Sequence, residues 1–132
     1  MLLADTSVWV DFFNFRETAE AVFLQDELRR NRIAVGDIII YELLRGFRTD
    51  EAAATALDQL RVCPVVRMLE GHLIVQAAAN TRRLRRMGIT IRSAVDPLIA
   101  TAAIAGDHIL LHNDRDFDHF ERHLGLRVLH PS

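Results

Sequence analysis

Short, mostly apolar segments alternate with longer amphipathic segments along almost the whole chain. The apolar segments predict strands at residues 2–4, 32–36, 61–66, 108–112 and 127–130. Apolar residues at helical spacing between them predict helices over residues 6–14, 18–31, 37–47, 50–60, 69–88, 96–106 and 116–124. Parallel strands that are separated by helices are joined by right-handed crossovers. The alternation therefore predicts an α/β fold, with a parallel sheet of four to five strands and helices on both faces.

The length and composition of the chain limit the classes of protein that it can belong to. With 132 residues, half of them hydrophobic, it can form one domain around a single core, which we place over residues 1–132. The N-terminus lacks the basic region of a signal peptide. The longest apolar run in the C-terminal half, residues 97–105, is too short to span a bilayer. Cys63 has no second cysteine to pair with, so we expect a cytoplasmic protein with no membrane contact.

Acidic residues follow two of the predicted strands at the point where each strand ends. Asp5 comes directly after the first strand, and Asp114 lies two residues past His112 at the end of the fourth strand. Ligands of open parallel sheets bind beyond the carboxyl ends of the strands. If these two strands are neighbours, the two carboxylates face each other at one edge of the sheet.

Two further acids begin or interrupt strongly apolar helices. Glu42 lies within IIIYELL, where a charged side chain must reach solvent or pair with Arg45 or another arginine. Asp96 precedes PLIATAAIA, and we predict it as the N-cap, with Pro97 at the first helical position. Caps and turns also offer structural explanations for Asp5, Asp114 and Asp116. We interpret Asp118 and Glu121 as a capping-box pair with no further role.

The electrostatic cost of bringing these acids together indicates what they bind. Two like charges about 4 Å apart repel by roughly 4 kcal/mol at an effective dielectric constant of 20. The summed repulsion among four converging carboxylates would therefore exceed the roughly 5–15 kcal/mol by which a small domain is stable. Such a cluster persists only if it is protonated or holds divalent cations, and its hard oxygen ligands favour Mg²⁺ or Mn²⁺.

With these residues in place, the sequence resembles the PIN-domain ribonucleases, and specifically the VapC-type toxins of bacterial and archaeal toxin–antitoxin pairs. The resemblance covers essentially the whole chain. It is carried by four motifs in order: LADTSVWVD at 3–11, YELLRG at 41–46, DPLIATAAIAG at 96–106 and ILLHNDRDF at 109–117. It implies a PIN-like, three-layer α/β/α domain.

The resemblance also implies a site and a mechanism. The catalytic and metal-binding acids would be Asp5, Glu42, Asp96 and Asp114, with Asp116 as a supporting metal ligand and Ser7 as a polar residue near the metal. Mg²⁺, or Mn²⁺, would orient a water for in-line attack on a phosphodiester of structured RNA, such as tRNA or ribosomal RNA. Where the family usually has threonine two residues before the fourth acid, this chain has His112.

The partners that the resemblance implies are RNA, a second copy of the chain in a homodimer, and a cognate VapB-like antitoxin. Any DNA contact would be made by the antitoxin. The segment RRLRRMGITIR at 82–92 has five arginines and no acid, and it leads to Asp96. It either binds the RNA backbone, with Arg92, Arg86 and Arg85 as the candidate contacts, or places favourable cations at a helix C-terminus.

Other functional classes fit the residues less well. All 16 basic residues are arginine, so the lysine that receiver domains and haloacid dehalogenase-type phosphatases use is missing. The second aspartate of those phosphatases would stand at position 7, which is serine. A metal-dependent phosphatase and a PIN-like protein-binding module without nuclease activity stay open as alternatives. Loss of one of the four acids would favour the binding module, and all four are present.

Overall fold

The computed structural model describes residues 1–131 and shows a five-stranded parallel sheet, which confirms the predicted fold class. The strands are β1 (Leu2–Ala4), β2 (Ile33–Gly36), β3 (Val65–Val66), β4 (Ile109–Leu111) and β5 (Arg127–Leu129), in the spatial order β3-β2-β1-β4-β5. The helices are α1 (Thr6–Phe13), α2 (Ala19–Arg29), α3 (Asp37–Gly46), α4 (Asp50–Leu60), α5 (Gly71–Arg86), α6 (Asp96–Ala105) and α7 (Asp116–Leu124).

The register of the sheet brings the ends of β1 and β4 together. Ala4 lies opposite Leu111, and the backbone N–H of Asp5 donates to the carbonyl of Leu111 at 3.0 Å. Both strands are buried because helices cover the two faces of the sheet. The residues that follow β1 and β4 therefore emerge side by side, as the sequence predicted.

The third strand is shorter than predicted and lies at the edge of the sheet. The chain turns after α4, where the N–H of Cys63 donates to the carbonyl of Leu60 at 3.0 Å, so only Val65 and Val66 pair with β2. Pro64 has no N–H for a sheet hydrogen bond, and its carbonyl accepts from the N–H of Val35 at 2.9 Å. The edge position expected from Pro64 is confirmed.

Helix α6, which begins at Asp96, has more buried residues than any other helix in residues 1–131. Six of its ten residues are buried, which agrees with its apolar sequence. Helix α5 packs against it through a hydrogen bond from the Asn80 amide to the Thr101 hydroxyl at 3.0 Å. Three aromatic side chains are fully buried: Trp9, Phe117 and Phe120. Trp9, which lies on α1, therefore belongs to the core. Each such side chain contributes roughly 1.5–3 kcal/mol of apolar burial.

The start of α6 differs from the prediction in a way that affects the site. Asp96 was expected as the N-cap, but the cap is Val95 and Asp96 is the first helical residue. The hydroxyl of Ser93 accepts from the N–H groups of Val95 and Asp96 at 3.0 and 3.2 Å, and so satisfies the first N–H of the helix. The carboxylate of Asp96 does not cap the helix.

The predicted capping box of Asp118 and Glu121 is wrong. Helix α7 begins at Asp116, so both residues lie inside it. The carboxylate of Asp118 lies 3.9 Å from the imidazole of His112, and that of Glu121 lies 3.2 Å from the imidazole of His130.

Between residues 1 and 131, no helix is long and apolar enough to cross a membrane.

Candidate metal centre

Asp5 is held rigidly at the junction between β1 and α1. Its side chain is 3% exposed and caps α1, accepting from the N–H of Val8 at 3.3 Å. The hydroxyl of Ser7 lies 2.8 and 2.9 Å from the two carboxylate oxygens. Ser7 therefore contacts Asp5 directly, at the place where the sequence predicted a supporting polar residue.

Three acids from two segments converge beyond the end of β4. One carboxylate oxygen from each of Asp96, Asp114 and Asp116 lies within 4.8 Å of the other two. Asp96 begins α6, whereas Asp114 and Asp116 belong to the turn that leads from β4 into α7. The N–H of Asp116 donates to the Asp114 carboxylate at 3.0 Å, which fixes the two acids relative to each other. One carboxylate oxygen of Asp96, Oδ2, is shielded from solvent and has no hydrogen-bond partner among residues 1–131.

Glu42 reaches the same region from α3. Its Oε1 accepts a short hydrogen bond from the hydroxyl of Thr6, and its charge acts on Asp96. Glu42 therefore pairs with Thr6 and not with Arg45, which the sequence suggested as a partner. The guanidinium carbon of Arg45 lies over the ring of Tyr41, 5.9 Å from the ring centroid.

Burial and the repulsion between neighbouring acids raise the pKa values of Asp5 and Asp96. Burial is the main reason why the pKa of Asp5 is raised to about 7. The hydrogen bonds from Ser7 and Val8 lower this pKa, and the charge of Asp96 raises it further. Burial also raises the pKa of Asp96 to about 7, followed by the charges of Asp114, Asp116 and Glu42. Each acid would ordinarily titrate near 3.8. In the absence of a cation, these two carboxyl groups are therefore partly protonated at neutral pH.

The donor set fits a divalent cation. Across the described part of the chain, residues 1–131, no arginine or histidine forms an ion pair with any of the five acids of the site, which are Asp5, Glu42, Asp96, Asp114 and Asp116. Their charge is thus not balanced by the protein itself, and the buried Oδ2 of Asp96 lacks a partner. All the candidate ligands are carboxylate oxygens, the type that Mg²⁺ and Mn²⁺ prefer.

His112 takes a structural position beside the cluster. Its Nδ1 accepts from the N–H of Asp114 at 3.2 Å, and its ring lies 5.0 Å from that of Phe117. Burial lowers the pKa of His112, which keeps the ring neutral and able to accept that hydrogen bond. His112 therefore shapes the turn that carries Asp114.

Several residues near the site were not identified from the sequence. The buried Asp11 accepts from the Asn113 amide at 2.8 Å, and this hydrogen bond ties the turn after β4 to α1. Arg115 and His119 line the cleft at the acids. The one available signal for Asp11 was a charged residue in the apolar helix TSVWVDFF. No local pattern indicated the other three residues.

The arginine-rich segment is divided by the structure. A cleft of about 870 Å³ lies at the acids and is lined by Arg92, Ser7, Thr90, Ser93, Asn113, Asp114, Arg115, Asp116 and His119. Arg85 and Arg86 are exposed at the end of α5 and do not line this cleft. Only Arg92 of the three candidate RNA contacts therefore lies beside the acids.

The fold and the site together define a class of protein: an α/β domain with a cluster of carboxylates that could hold a metal ion at the carboxyl ends of its parallel strands. The comparisons identify the family. The family model of the PIN domain matches residues 2–123. Ribonuclease VapC11 from Mycobacterium tuberculosis is 33% identical over 130 residues, which are 97% of this chain and 97% of that protein. The chain belongs to the PIN domain family.

Solved structures show the same fold. VapBC2 from Rickettsia felis, bound to a DNA fragment from the promoter, matches with a TM-score of 0.75 and 23% identity, over 97% of this chain and 96% of that chain. VapBC-1 from nontypeable Haemophilus influenzae matches with a TM-score of 0.71 and 19% identity, over the same two fractions. At these identities, the similarity concerns the fold alone.

Proposed function

We propose that this protein is a Mg²⁺-dependent endoribonuclease that cleaves structured RNA, such as tRNA or ribosomal RNA, and acts as the toxin of a toxin–antitoxin pair. The observation that carries the proposal is the cluster of Asp96, Asp114 and Asp116, whose oxygens lie within 4.8 Å of one another without a balancing cation among residues 1–131. The relatives at 33% identity are named as VapC ribonucleases, which supports the same reaction class.

The acids divide into direct and supporting roles. Asp5 and Asp96 are the first choices as metal ligands because both are constrained by α-helix N-termini and poorly solvated. Glu42, Asp114 and Asp116 complete the site, either directly or through water. A divalent cation bound there supplies charge neutralisation at the phosphodiester and activation of the attacking water.

The surrounding hydrogen bonds orient the ligands. Ser7 and the N–H of Val8 fix the carboxylate of Asp5, and Thr6 fixes that of Glu42. These supporting contacts reduce the reorganisation that cation binding requires. Because Asp5 and Asp96 have pKa values near 7, cation binding at neutral pH is expected to release protons from the site.

The proposal includes partners. The matching solved structures are VapBC2 from Rickettsia felis, bound to promoter DNA, and VapBC-1 from Haemophilus influenzae, and they support a VapB-like antitoxin as the partner of this chain. We place DNA contact on that antitoxin, and we expect a homodimer that acts in the cytoplasm.

Digestion of structured RNA tests the proposed reaction. The wild type is incubated with tRNA and ribosomal RNA in Mg²⁺ and in EDTA, beside Asp96→Asn and Asp114→Asn. Asp26→Asn is the matched control, because Asp26 is an exposed aspartate on α2, away from the cleft. We expect EDTA and both site variants to reduce cleavage at least about 100-fold, as loss of charge stabilisation does in other enzymes, and Asp26→Asn to retain full activity.

Cleavage that is equal in all samples would indicate a contaminating nuclease and contradict the assignment. Full activity in Asp96→Asn alone, with loss in EDTA, would refute the ligand assignment while leaving the family reaction in place. Mapping the 5′ ends of cellular RNA after induced expression would then identify the target.

A further inference from the structure

The cleft at the acids has a second, basic component. Arg115 and His119 lie four residues apart, so they face the same side of α7, and both line the cleft. Arg92 lines it from the segment between α5 and α6. The N–H of Arg92 donates to the carboxylate of Asp116 at 3.4 Å, which holds this segment against the start of α7. We refer to Arg92, Arg115 and His119 as the basic wall.

The charges of Arg92 and Arg115 are available to a ligand. Between residues 1 and 131, neither Arg92 nor Arg115 forms an ion pair, although Asp114 and Asp116 line the same cleft. Both arginines are exposed. The Nδ1 atom of His119 is shielded from solvent without a partner in that range, so Nε2 is the ring nitrogen that can face an occupant of the cleft.

The position of Arg115 has no explanation in helix stability. Arg115 is the N-cap residue of α7 and makes no side-chain capping hydrogen bond. A cation at a helix N-terminus is opposed by the helix dipole. Arginine also presents a planar set of donors that matches the geometry of a phosphate. Function in ligand binding therefore accounts for this residue better than folding does.

We propose that Arg92, Arg115 and His119 form a subsite for the phosphate backbone of RNA, next to the phosphodiester that the acids act on. This inference rests on the proposed function for the identity of the ligand. It distinguishes the basic wall from Arg85 and Arg86, which are exposed at the end of α5 outside the cleft. The basic wall would hold the chain of phosphates, while a cation at the acids offsets their repulsion of RNA.

Binding and cleavage measured on the same variants test the subsite. The variants are Arg115→Gln, Arg92→Gln and His119→Leu, and Arg122→Gln is the matched control because Arg122 is an exposed arginine of the same helix outside the cleft. Affinity for a labelled tRNA is measured by fluorescence anisotropy in EDTA, where hydrolysis is suppressed. KM and kcat are measured in Mg²⁺.

We expect Arg115→Gln to weaken RNA binding roughly tenfold and to reduce the slope of log Kd against log salt by about 1, as loss of one phosphate contact does. In Mg²⁺ it should raise KM with little change in kcat. Arg115→Lys should recover part of the affinity, and His119→Gln, which retains a donor near Nε2, should bind more tightly than His119→Leu. A variant that is merely misfolded would not show a salt slope reduced by about 1, and the conservative replacements would not recover its affinity.

The outcomes separate this inference from the proposed function. If the wild type cleaves RNA and both arginine variants match Arg122→Gln in Kd and salt slope, the subsite is refuted and the nuclease assignment stands. If the wild type does not cleave RNA but Arg115→Gln and Arg92→Gln still lose affinity, the nuclease assignment fails and the subsite stands. Thermal unfolding of each variant verifies that all are folded, and Arg92→Gln provides the test if Arg115→Gln is not.

Discussion

Replacing Asp5 with asparagine should stabilise the metal-free protein at alkaline pH, although it removes a proposed catalytic ligand. Asparagine has nearly the same shape as aspartate, and its amide group can keep the hydrogen bonds with Ser7 and the N–H of Val8. What it removes is a negative charge on a side chain that is only 3% exposed. The variant therefore isolates the cost of ionising this group inside the protein.

The direction and size of the effect follow from proton linkage. Burial raises the pKa of Asp5 in the folded protein to about 7, from an ordinary value of 3.8. The folded state then holds the proton more tightly than the unfolded state, so stability is complete at low pH and is lost as the pH rises between these two values. From pH 5 to pH 8, Asp5 alone should remove about 2–3 kcal/mol from the free energy of unfolding. Asp96, whose pKa is also raised, adds to the loss in the same direction.

Urea unfolding in EDTA at pH 5, 6.5 and 8 measures this prediction. The stability of the wild type should decline with pH, and Asp5→Asn should decline distinctly less and exceed the wild type at pH 8. Asp58→Asn is the control because Asp58 is exposed on α4 and forms a surface ion pair with Arg61, so it should follow the wild type. The reasoning is refuted if the wild type shows no decline, or if Asp5→Asn is destabilised equally at pH 5 and pH 8.

Three further predictions concern the residues around the acids. Thr6→Val removes the hydroxyl that donates to Glu42, and should weaken Mg²⁺ binding in calorimetry about tenfold, while the melting temperature stays nearly unchanged. Asn113→Ala removes a donor to the buried Asp11, and should lower the free energy of unfolding in urea by about 1 kcal/mol and also reduce kcat. Because burial lowers the pKa of His112, its ring signals in NMR should titrate below the ordinary value of 6.5, and titration at or above 6.5 would contradict the structural position that we assign to it. The unfolded state then binds this proton more tightly than the folded state, so His112 should lower the free energy of unfolding as the pH falls from 6.5 through its folded pKa.

The order of strands and helices could be predicted because it depends on local periodicity. Each of the five strands and seven helices lies within or very near its predicted bounds. The side-by-side ends of β1 and β4 follow from one topological step, since neighbouring parallel strands end at the same edge of the sheet. The prediction that the acids act as a metal site depends on the family resemblance and on electrostatic cost, and their catalytic roles stay a prediction.

The details that the sequence did not provide are contacts between distant segments. Thr6 and Glu42 are 36 positions apart, and Asp11 and Asn113 are 102 apart, so neither hydrogen bond leaves a local pattern. Local patterns also misled: Asp96 has the chemistry of an N-cap, but the backbone places it one position later, as the first helical residue, where Ser93 accepts from its N–H. The position of the helix start depends on the path of the backbone before α6, which propensity does not determine.

The segment from His112 to His119 connects the proposed cation site with the proposed RNA subsite. Asp114 and Asp116 belong to the acid cluster, whereas Arg115 and His119 belong to the basic wall, so one turn and one helix start carry both acids and a cation. In the absence of a cation, the raised pKa values of Asp5 and Asp96 show that the cluster resists further negative charge, and an RNA phosphate would add more. A cation at the acids removes this repulsion, so Mg²⁺ should raise the affinity for RNA and RNA should raise the affinity for Mg²⁺ by the same factor. The cation is thus expected to contribute to substrate binding as well as to hydrolysis, and both contributions depend on the same segment after β4.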